Sequence, residues 1–176
     1  MKRTYPVKKK LSFRENIQLT LPMMYDDFMS NKDRVINHPR MKTELHRMRI
    51  AGKPLRYAME YAETAFGAEF KKCLDEVKDV IELIGEIHDT DVLIPELGSH
   101  LAEIRRFNST LINSKERLST KGIRQLIGEL KVKRTNMYTE FCTIIIRWIN
   151  EDFRLRLVSS INTPSYNLTI VKPKAG

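Results

Sequence analysis

The chain of 176 residues is 41% hydrophobic and 30% charged, which is the composition of a globular domain rather than of a disordered segment. It contains no run of about 18 apolar residues, so we expect no membrane-spanning helix. The formal net charge of +9 lies mostly at the two ends, because residues 1–14 hold six basic and no acidic side chains. Net charge therefore does not by itself indicate a polyanion-binding protein.

The N-terminus is basic and lacks the apolar segment of a signal peptide. We predict a flexible basic tail over residues 1–12, followed by a first helix over residues 13–35 that Pro22 kinks. Cys73 and Cys142 fall within helical patterns and do not form a disulfide framework. Buried, inert thiols in a reducing, cytoplasmic setting are the simplest interpretation.

The second predicted helix spans residues 39–66 and contains Gly52 and Pro54. Because Pro54 lacks a backbone donor and clashes with the carbonyl of Ile50, we expect a kink just before it. A third helix follows over residues 69–87. Its outer face is interpreted as a solvated acidic surface formed by Asp75, Glu76, Asp79, Glu82 and Glu86.

Residues 88–91 carry the signals of a helix boundary, since Asp91 is well placed to cap a further helix over residues 92–107. Residues 108–120 contain turn and cap residues and are predicted to be a connection.

A long last helix is predicted over residues 121–157. No segment has a convincing strand pattern. The sequence therefore predicts an all-α fold, a helical bundle of about four to five helices over residues 13–158, with an irregular arm over residues 159–176.

Cationic residues on the second helix form a row beside its apolar seam. The row consists of His46, Arg49, Lys53 and Arg56. Cations about one turn apart on one face form a ladder suited to an anion with a repeating charge. Basic residues beside an apolar seam are more often boundary residues whose side chains lie over the core. Spacing alone therefore does not decide whether the row binds an anion. The last helix repeats the arrangement with Arg117, Lys121, Arg124, Lys131 and Arg134.

Two short motifs resemble those of a known family. The pattern His46-x-x-Arg49-x-x-x-Lys53-x-x-Arg56-Tyr57 resembles the opening motif of the CHAD domain, the conserved histidine α-helical domain. The segment Gly85-Glu86-Ile87-His88-Asp89-Thr90-Asp91-Val92 resembles its second motif, and Arg134 resembles an arginine of a later helix. The resemblance covers roughly residues 28–157.

This resemblance implies an all-helical protein that binds inorganic polyphosphate on a basic surface or pore between two four-helix bundles. The ligands that it implies are His46, Arg49, Lys53, Arg56, His88 and Arg134, to which we add Arg124 and Lys131 from the basic strip. Pro54 stands where the family usually has Arg or Lys, and the chain holds one repeat where typical members hold two. We therefore expect a homodimer that supplies the second bundle. The family also makes association with polyphosphate granules plausible.

Several residues keep a second interpretation. His88 is either a core histidine at a helix end or an anion contact. Asp89 and Asp91 are interpreted as caps or as partners that hold arginines in place. Tyr57 and Tyr138 are interpreted as packing residues.

Two other function classes compete with polyphosphate binding. Non-specific nucleic-acid binding would use the basic tail, Arg105, Arg106 and Arg124, although no helix-turn-helix spacing or aromatic stacking platform is evident. A metal-dependent phosphohydrolase would use the cluster His88-Asp89-x-Asp91, but the sequence has no glycine-rich phosphate loop and no zinc-binding spacing. We therefore expect a non-catalytic polyanion-binding module without a metal or cofactor.

Overall fold

The computed structural model describes residues 4–39 and 42–162, which form six α-helices and no β-strand. The helices are α1 (Phe13–Met29), α2 (Lys32–Asn37), α3 (Lys42–Ala62), α4 (Ala68–Thr110), α5 (Lys121–Asn150) and α6 (Phe153–Asn162). The prediction of an all-α helical bundle is confirmed. Within these same residues, no helix is both long enough and apolar enough to cross a membrane.

The start of α1 is fixed by a capping box. The Ser12 hydroxyl accepts from the N–H of Glu15, and the Glu15 carboxylate accepts from the N–H of Ser12 at 2.7 Å. Pro22 lies inside α1 without ending it. The prediction of one helix over residues 13–35 is nevertheless wrong, because the chain turns at Ser30, whose hydroxyl donates to the carbonyl three residues earlier.

The described part of the basic tail contacts α1. The Tyr5 hydroxyl donates to the Asp27 carboxylate at 2.9 Å, and the Asn16 side chain accepts from the N–H of Lys8 at 2.8 Å. Residues 1–3 of the predicted tail lie outside the described residues.

Gly52 of α3 lies close to two neighbouring helices. A Cβ at this position would lie 3.0 Å from Ile81 on α4 and 3.1 Å from the ring of Phe28 on α1. The absence of a side chain therefore lets three helices approach one another. Because α3 continues through Gly52 and Pro54 without a break, one helix carries the whole row of cations.

The helix α4 passes without interruption through the predicted boundary at residues 88–91, and that prediction is wrong. The Thr90 hydroxyl is buried and donates to the carbonyl of Ile87, while the Asp91 carboxylate binds Arg134 of α5 instead of capping a helix. Residues that resemble a helix start thus have other partners inside the helix. Pro95 also lies within α4.

The predicted last helix over residues 121–157 is also interrupted. The chain turns at Asp152, which has a φ of 46° in the left-handed region. The Asp152 carboxylate then accepts from the N–H of Leu155 at 3.2 Å, at the start of α6. The ring of Phe153 stacks on Trp148 with centroids 4.0 Å apart, which folds α6 back onto the bundle.

The helix α6 extends into the segment predicted as an irregular arm. Ser160 and Ile161 are buried, and Gln18 of α1 donates to the carbonyl of Ile161 at 2.7 Å. The arm beyond Asn162 lies outside the described residues.

The hydrophobic core lies at one end of the long helices α4 and α5. It joins α1, α3, α6, the first part of α4 and the last part of α5. Between Thr90 and Met137 no residue is buried, so the end of α4 and the start of α5 extend beyond the core as a pair. We call residues 91–136 the α4–α5 hairpin.

Candidate functional site

The cations predicted from spacing lie on one side of α3. This set, the α3 cation row, consists of His46, Arg49, Lys53 and Arg56. Lys53 is exposed and the other three are half-buried, while the adjoining seam of α3 is buried in the core. The apolar seam fixes the rotation of α3, and this rotation places the cations at the boundary with α4.

A groove of about 300 Å³ separates the cation row from α4. Its walls are formed by Arg49, Lys53, Arg56 and Tyr57 of α3 and by Ile81, Glu82, Gly85, Glu86 and Asp89 of α4. At Gly85 a Cβ would lie 3.9 Å from Arg49 Nε, so this guanidinium lies close to the backbone of α4. One wall of the groove is therefore cationic and the other carries carboxylates.

Two histidines meet across the boundary between α3 and α4. The ring centroids of His46 and His88 are 4.9 Å apart, with the planes inclined by 32°. His46 Nδ1 is buried and forms no hydrogen bond within the described residues. Burial lowers the pKa of His88, and the positive charge of Arg49 lowers it further. The resemblance thus named two histidines that the fold places in contact.

The cations of the row differ in their partners. Among the described residues, no ion pair involves Arg49 or Lys53. Arg56 pairs with Glu60 at 2.8 Å, and this hydrogen bond raises the pKa of Arg56. Arg49 and Lys53 are therefore the members of the row whose charge an external anion meets with the least competition.

Arg134 lies in a different setting from the rest of the predicted site. Its Nε and Nη2 donate to the two oxygens of Asp91 at 3.2 and 3.3 Å, and its guanidinium lies 4.9 Å from the ring centroid of Tyr138. Lys42 of α3 also contacts Asp91, at 3.1 Å. Arg134 therefore connects α5 to α4, and its contact with a ligand stays a prediction.

Arg124 and Lys131 are exposed on α5 within the α4–α5 hairpin. They do not line the groove beside the cation row. Their role as ligands also stays a prediction.

The acidic wall of the groove was missed from sequence. Glu82 and Glu86 were assigned to a solvated surface, and Asp89 was separated from them by the predicted helix boundary. In one continuous α4 the three residues follow spacings of four and three and share a face. Glu76, from the same predicted surface, instead accepts from Trp148 and Arg156 and is half-buried.

The two tyrosines singled out from sequence have different surroundings. Tyr138 is buried, and its hydroxyl donates to the carbonyl of Val35, as expected for a packing residue. Tyr57 is 52% exposed and lines the groove, so its interpretation as a packing residue is wrong. The signal available in the sequence is the spacing of Tyr57 and Tyr61, which are four residues apart on a face of the helix away from the apolar seam.

No group of three or more His, Cys, Asp or Glu side chains in the described ranges is arranged to hold a metal ion. Cys73 is buried and Cys142 half-buried, and burial raises the pKa of both thiols.

Comparison with known proteins gives one match. A family model described as the CHAD domain matches residues 11–98, half of the chain. No curated protein and no solved structure matches this chain. The matched residues include the α3 cation row and His88, and exclude Arg124, Lys131 and Arg134. The chain therefore belongs to the CHAD-domain family.

Proposed function

We propose that this protein binds inorganic polyphosphate along the α3 cation row. The observation that carries the proposal is the alignment of the row on one unbroken helix, with Arg49 and Lys53 outside any ion pair of the described residues. Membership of the CHAD-domain family supports the same ligand.

The chemistry of polyphosphate fits such a row. The polymer carries a repeating negative charge and has no base or sugar to recognise, so affinity has to come from regularly spaced cations. Arginine forks hold pairs of phosphate oxygens, and a rigid helix lowers the entropy lost when the cations are fixed. Counterion release then makes binding fall steeply as salt is raised.

Secondary contacts are proposed for the remaining residues. His88 supports the row through its contact with His46, and Arg134 positions α5 through Asp91. Arg124 and Lys131 extend the cationic surface along the α4–α5 hairpin, where a longer polymer would reach them.

The proposed role is binding without catalysis, in the cytoplasm and at polyphosphate granules. Release of phosphate from polyphosphate by purified protein with Mg²⁺ or Mn²⁺, lost in His88→Ala and Asp91→Ala, would contradict the non-catalytic part of the proposal.

We also propose that the α4–α5 hairpin forms a homodimer. Apolar side chains on it are exposed, including Leu93, Phe107, Leu126 and Val132. The hairpin offers a face of about 30 Å by about 20 Å, so two copies would bury roughly 1,200 Å², which reaches the lower range of stable interfaces. A two-fold axis between the hairpins would produce a four-helix bundle.

The dimer is tested by sedimentation equilibrium. We expect a dimer for the wild type and a monomer for Phe107→Ser/Leu126→Ser. A wild-type monomer that binds polyphosphate at the same concentration would overturn the dimer and leave the ligand unaffected.

The ligand is tested by titration with long-chain polyphosphate at near-physiological salt. Arg49→Ala/Lys53→Ala is expected to weaken binding by at least tenfold and to reduce the salt dependence by about one counterion per cation. Arg147→Ala/Arg154→Ala removes the same charge from exposed positions on α5 and α6, outside the groove and the hairpin, and serves as the matched control. Equal losses in both variants would mean that only net charge matters and would overturn the site.

A further inference from the structure

An apolar strip runs along the outer face of α3. It consists of Ile50, Pro54, Tyr57 and Tyr61, spaced by four, three and four residues, which places them on one face. All four are exposed, with 52% of Tyr57 and 80% of Tyr61 accessible. The strip lies away from the seam that α3 buries in the core, so it does not contribute to the packing of the bundle. A contiguous exposed apolar surface of this kind indicates a binding surface.

The strip lies directly beside the cation row. Tyr57 lines the same groove as Arg49, Lys53 and Arg56. A ligand that contacts the groove therefore meets a flat ring and positive charges together. A ligand with planar groups joined by negative charges can stack on the ring and bind the cations. A nucleic-acid strand with unpaired bases has this chemistry.

The spacing of these residues favours a strand over a single nucleotide. Tyr57 and Tyr61 are separated by about 6 Å along the helix axis, and so are Arg49 and Lys53. The rings thus repeat at the same interval as the cations that precede them along α3, and this interval is of the same order as the distance between successive nucleotides. A single nucleotide would use only one ring.

The basic tail lies near the end of this strip. Arg14 donates to the carbonyl of Ala65 at 2.8 Å and lies 4.6 Å from the ring centroid of Phe66. The start of α1 is therefore beside the end of α3, and the three lysines at positions 8–10 precede α1 directly. A strand that passes Tyr61 continues toward further cations.

The acidic wall of the groove also favours nucleic acid as the ligand. Glu82 and Asp89 face the cation row across the groove and would repel a ligand made only of phosphate. Sugar hydroxyls and base amino groups are donors that carboxylates accept, and polyphosphate has neither.

We propose that the outer face of α3 binds single-stranded nucleic acid, with bases stacked on Tyr57 and Tyr61 and phosphates held by Arg49 and Lys53. This proposal rests on the proposed function, because nucleic acid and polyphosphate would both bind Arg49 and Lys53. The tyrosines distinguish the two, because polyphosphate has no ring to stack.

The experiment measures the affinity of the full chain for a single-stranded RNA 12-mer and for long-chain polyphosphate, side by side. Replacing a stacking aromatic by alanine costs about 1–3 kcal/mol per base, so each tyrosine is expected to weaken RNA binding roughly 5- to 150-fold. Tyr57→Ala/Tyr61→Ala should leave polyphosphate binding within twofold. Tyr57→Phe/Tyr61→Phe keeps both rings and should bind RNA like the wild type.

Stacking itself is read from the fluorescence of 2-aminopurine placed in the RNA, which is quenched when this base stacks. We expect quenching by the wild type and recovery of the signal with Tyr57→Ala/Tyr61→Ala. Leu155→Ala removes an apolar side chain that is 60% exposed on α6, outside the groove and the α4–α5 hairpin, and should change nothing.

Each outcome decides between the two proposals. RNA affinity unchanged by the double alanine variant overturns the tyrosine surface, and so does polyphosphate binding without RNA binding, which leaves the proposed function standing. Self-association that is lost with the tyrosines also overturns it, because the strip would then be a protein interface. Binding of neither polymer overturns both proposals.

Discussion

The imidazole of His46 on α3 lies against the imidazole of His88 on α4, with ring centroids 4.9 Å apart. Burial, Arg49 and His46 lower the pKa of His88 from 6.5, while Asp89 and Asp91 act in the opposite direction. At pH 7 His88 is therefore neutral in the unliganded protein. A phosphate bound to Arg49 would offset its charge and favour protonation of His88.

We predict that polyphosphate binds more tightly as the pH falls from 7.5 to 5.5. The complex holds His88 protonated at a higher pH than the free protein does, so binding takes up a proton. The affinity then rises by at most about tenfold per pH unit, and the rise ends below the pKa of His88 in the free protein. Titration calorimetry in two buffers of different ionisation enthalpy, at constant ionic strength, measures this proton uptake.

His88→Asn should abolish this part of the pH dependence, and His100→Asn changes an exposed histidine as the control. The stability of the free protein should fall on acidification, whereas the affinity for polyphosphate should rise. Because the folded state has the lower pKa, the contribution of His88 to stability is present above pH 6.5 and is lost as the pH falls below it. An affinity that falls on acidification would contradict the proposed coupling between His88 and a phosphate bound to Arg49.

A pair of glycine substitutions tests the close crossing of α1, α3 and α4. Alanine at either Gly52 or Gly98 gains about 1 kcal/mol of helix propensity. At Gly98 nothing lies within 4 Å of the added Cβ, whereas at Gly52 Ile81 and Phe28 lie 3.0 and 3.1 Å away. We expect Gly52→Ala to be about 1–3 kcal/mol less stable than Gly98→Ala in urea unfolding. Equal stabilities would mean that the helices separate easily.

The sequence predicted the placement of the cations on α3 better than it predicted the helix ends. The spacing of cations beside an apolar seam depends only on helical period, and α3 preserves it through Gly52 and Pro54. The boundary at residues 88–91 could not be judged from sequence, because the partner that binds Asp91 is Arg134, 43 residues away. Long-range ion pairs of this kind override local capping signals.

The acidic wall and the exposed tyrosine strip were missed for a related reason. Glu82 and Asp89 share a face only if α4 is continuous, and the predicted boundary separated them. Exposure of Tyr57 depends on how far α3 rotates against α4, which the buried seam sets and the residue type does not reveal. The placement of a side chain on the face of a single helix was therefore predictable, and its position relative to a second helix was not.

Removing one charge from the acidic wall should strengthen polyphosphate binding. An exposed like charge about 6 Å from a phosphate costs about 0.7 kcal/mol in water, so Glu82→Gln is expected to raise affinity about threefold at low salt. The gain should disappear at 0.5 M salt, where charges are screened. Asp75→Asn removes an exposed charge from α4 outside the groove and should have a smaller effect. An unchanged affinity for Glu82→Gln would place the polymer away from this wall.

The pair Arg134–Asp91 is predicted to stabilise the fold. Because the Arg134 guanidinium donates to both oxygens of Asp91, we now expect no direct contact with the ligand, in contrast to what the family resemblance implied. The two side chains are 15% and 8% exposed, so Arg134→Ala leaves a mostly buried carboxylate with Lys42 as its remaining ionic partner. We expect a loss of about 3 kcal/mol in urea unfolding, and a smaller combined loss for Arg134→Ala/Asp91→Ala than the sum of the single losses. Polyphosphate affinity of the folded variant should stay within twofold, whereas Arg49→Ala lowers it. A loss of affinity in Arg134→Ala equal to that in Arg49→Ala would instead make Arg134 a ligand.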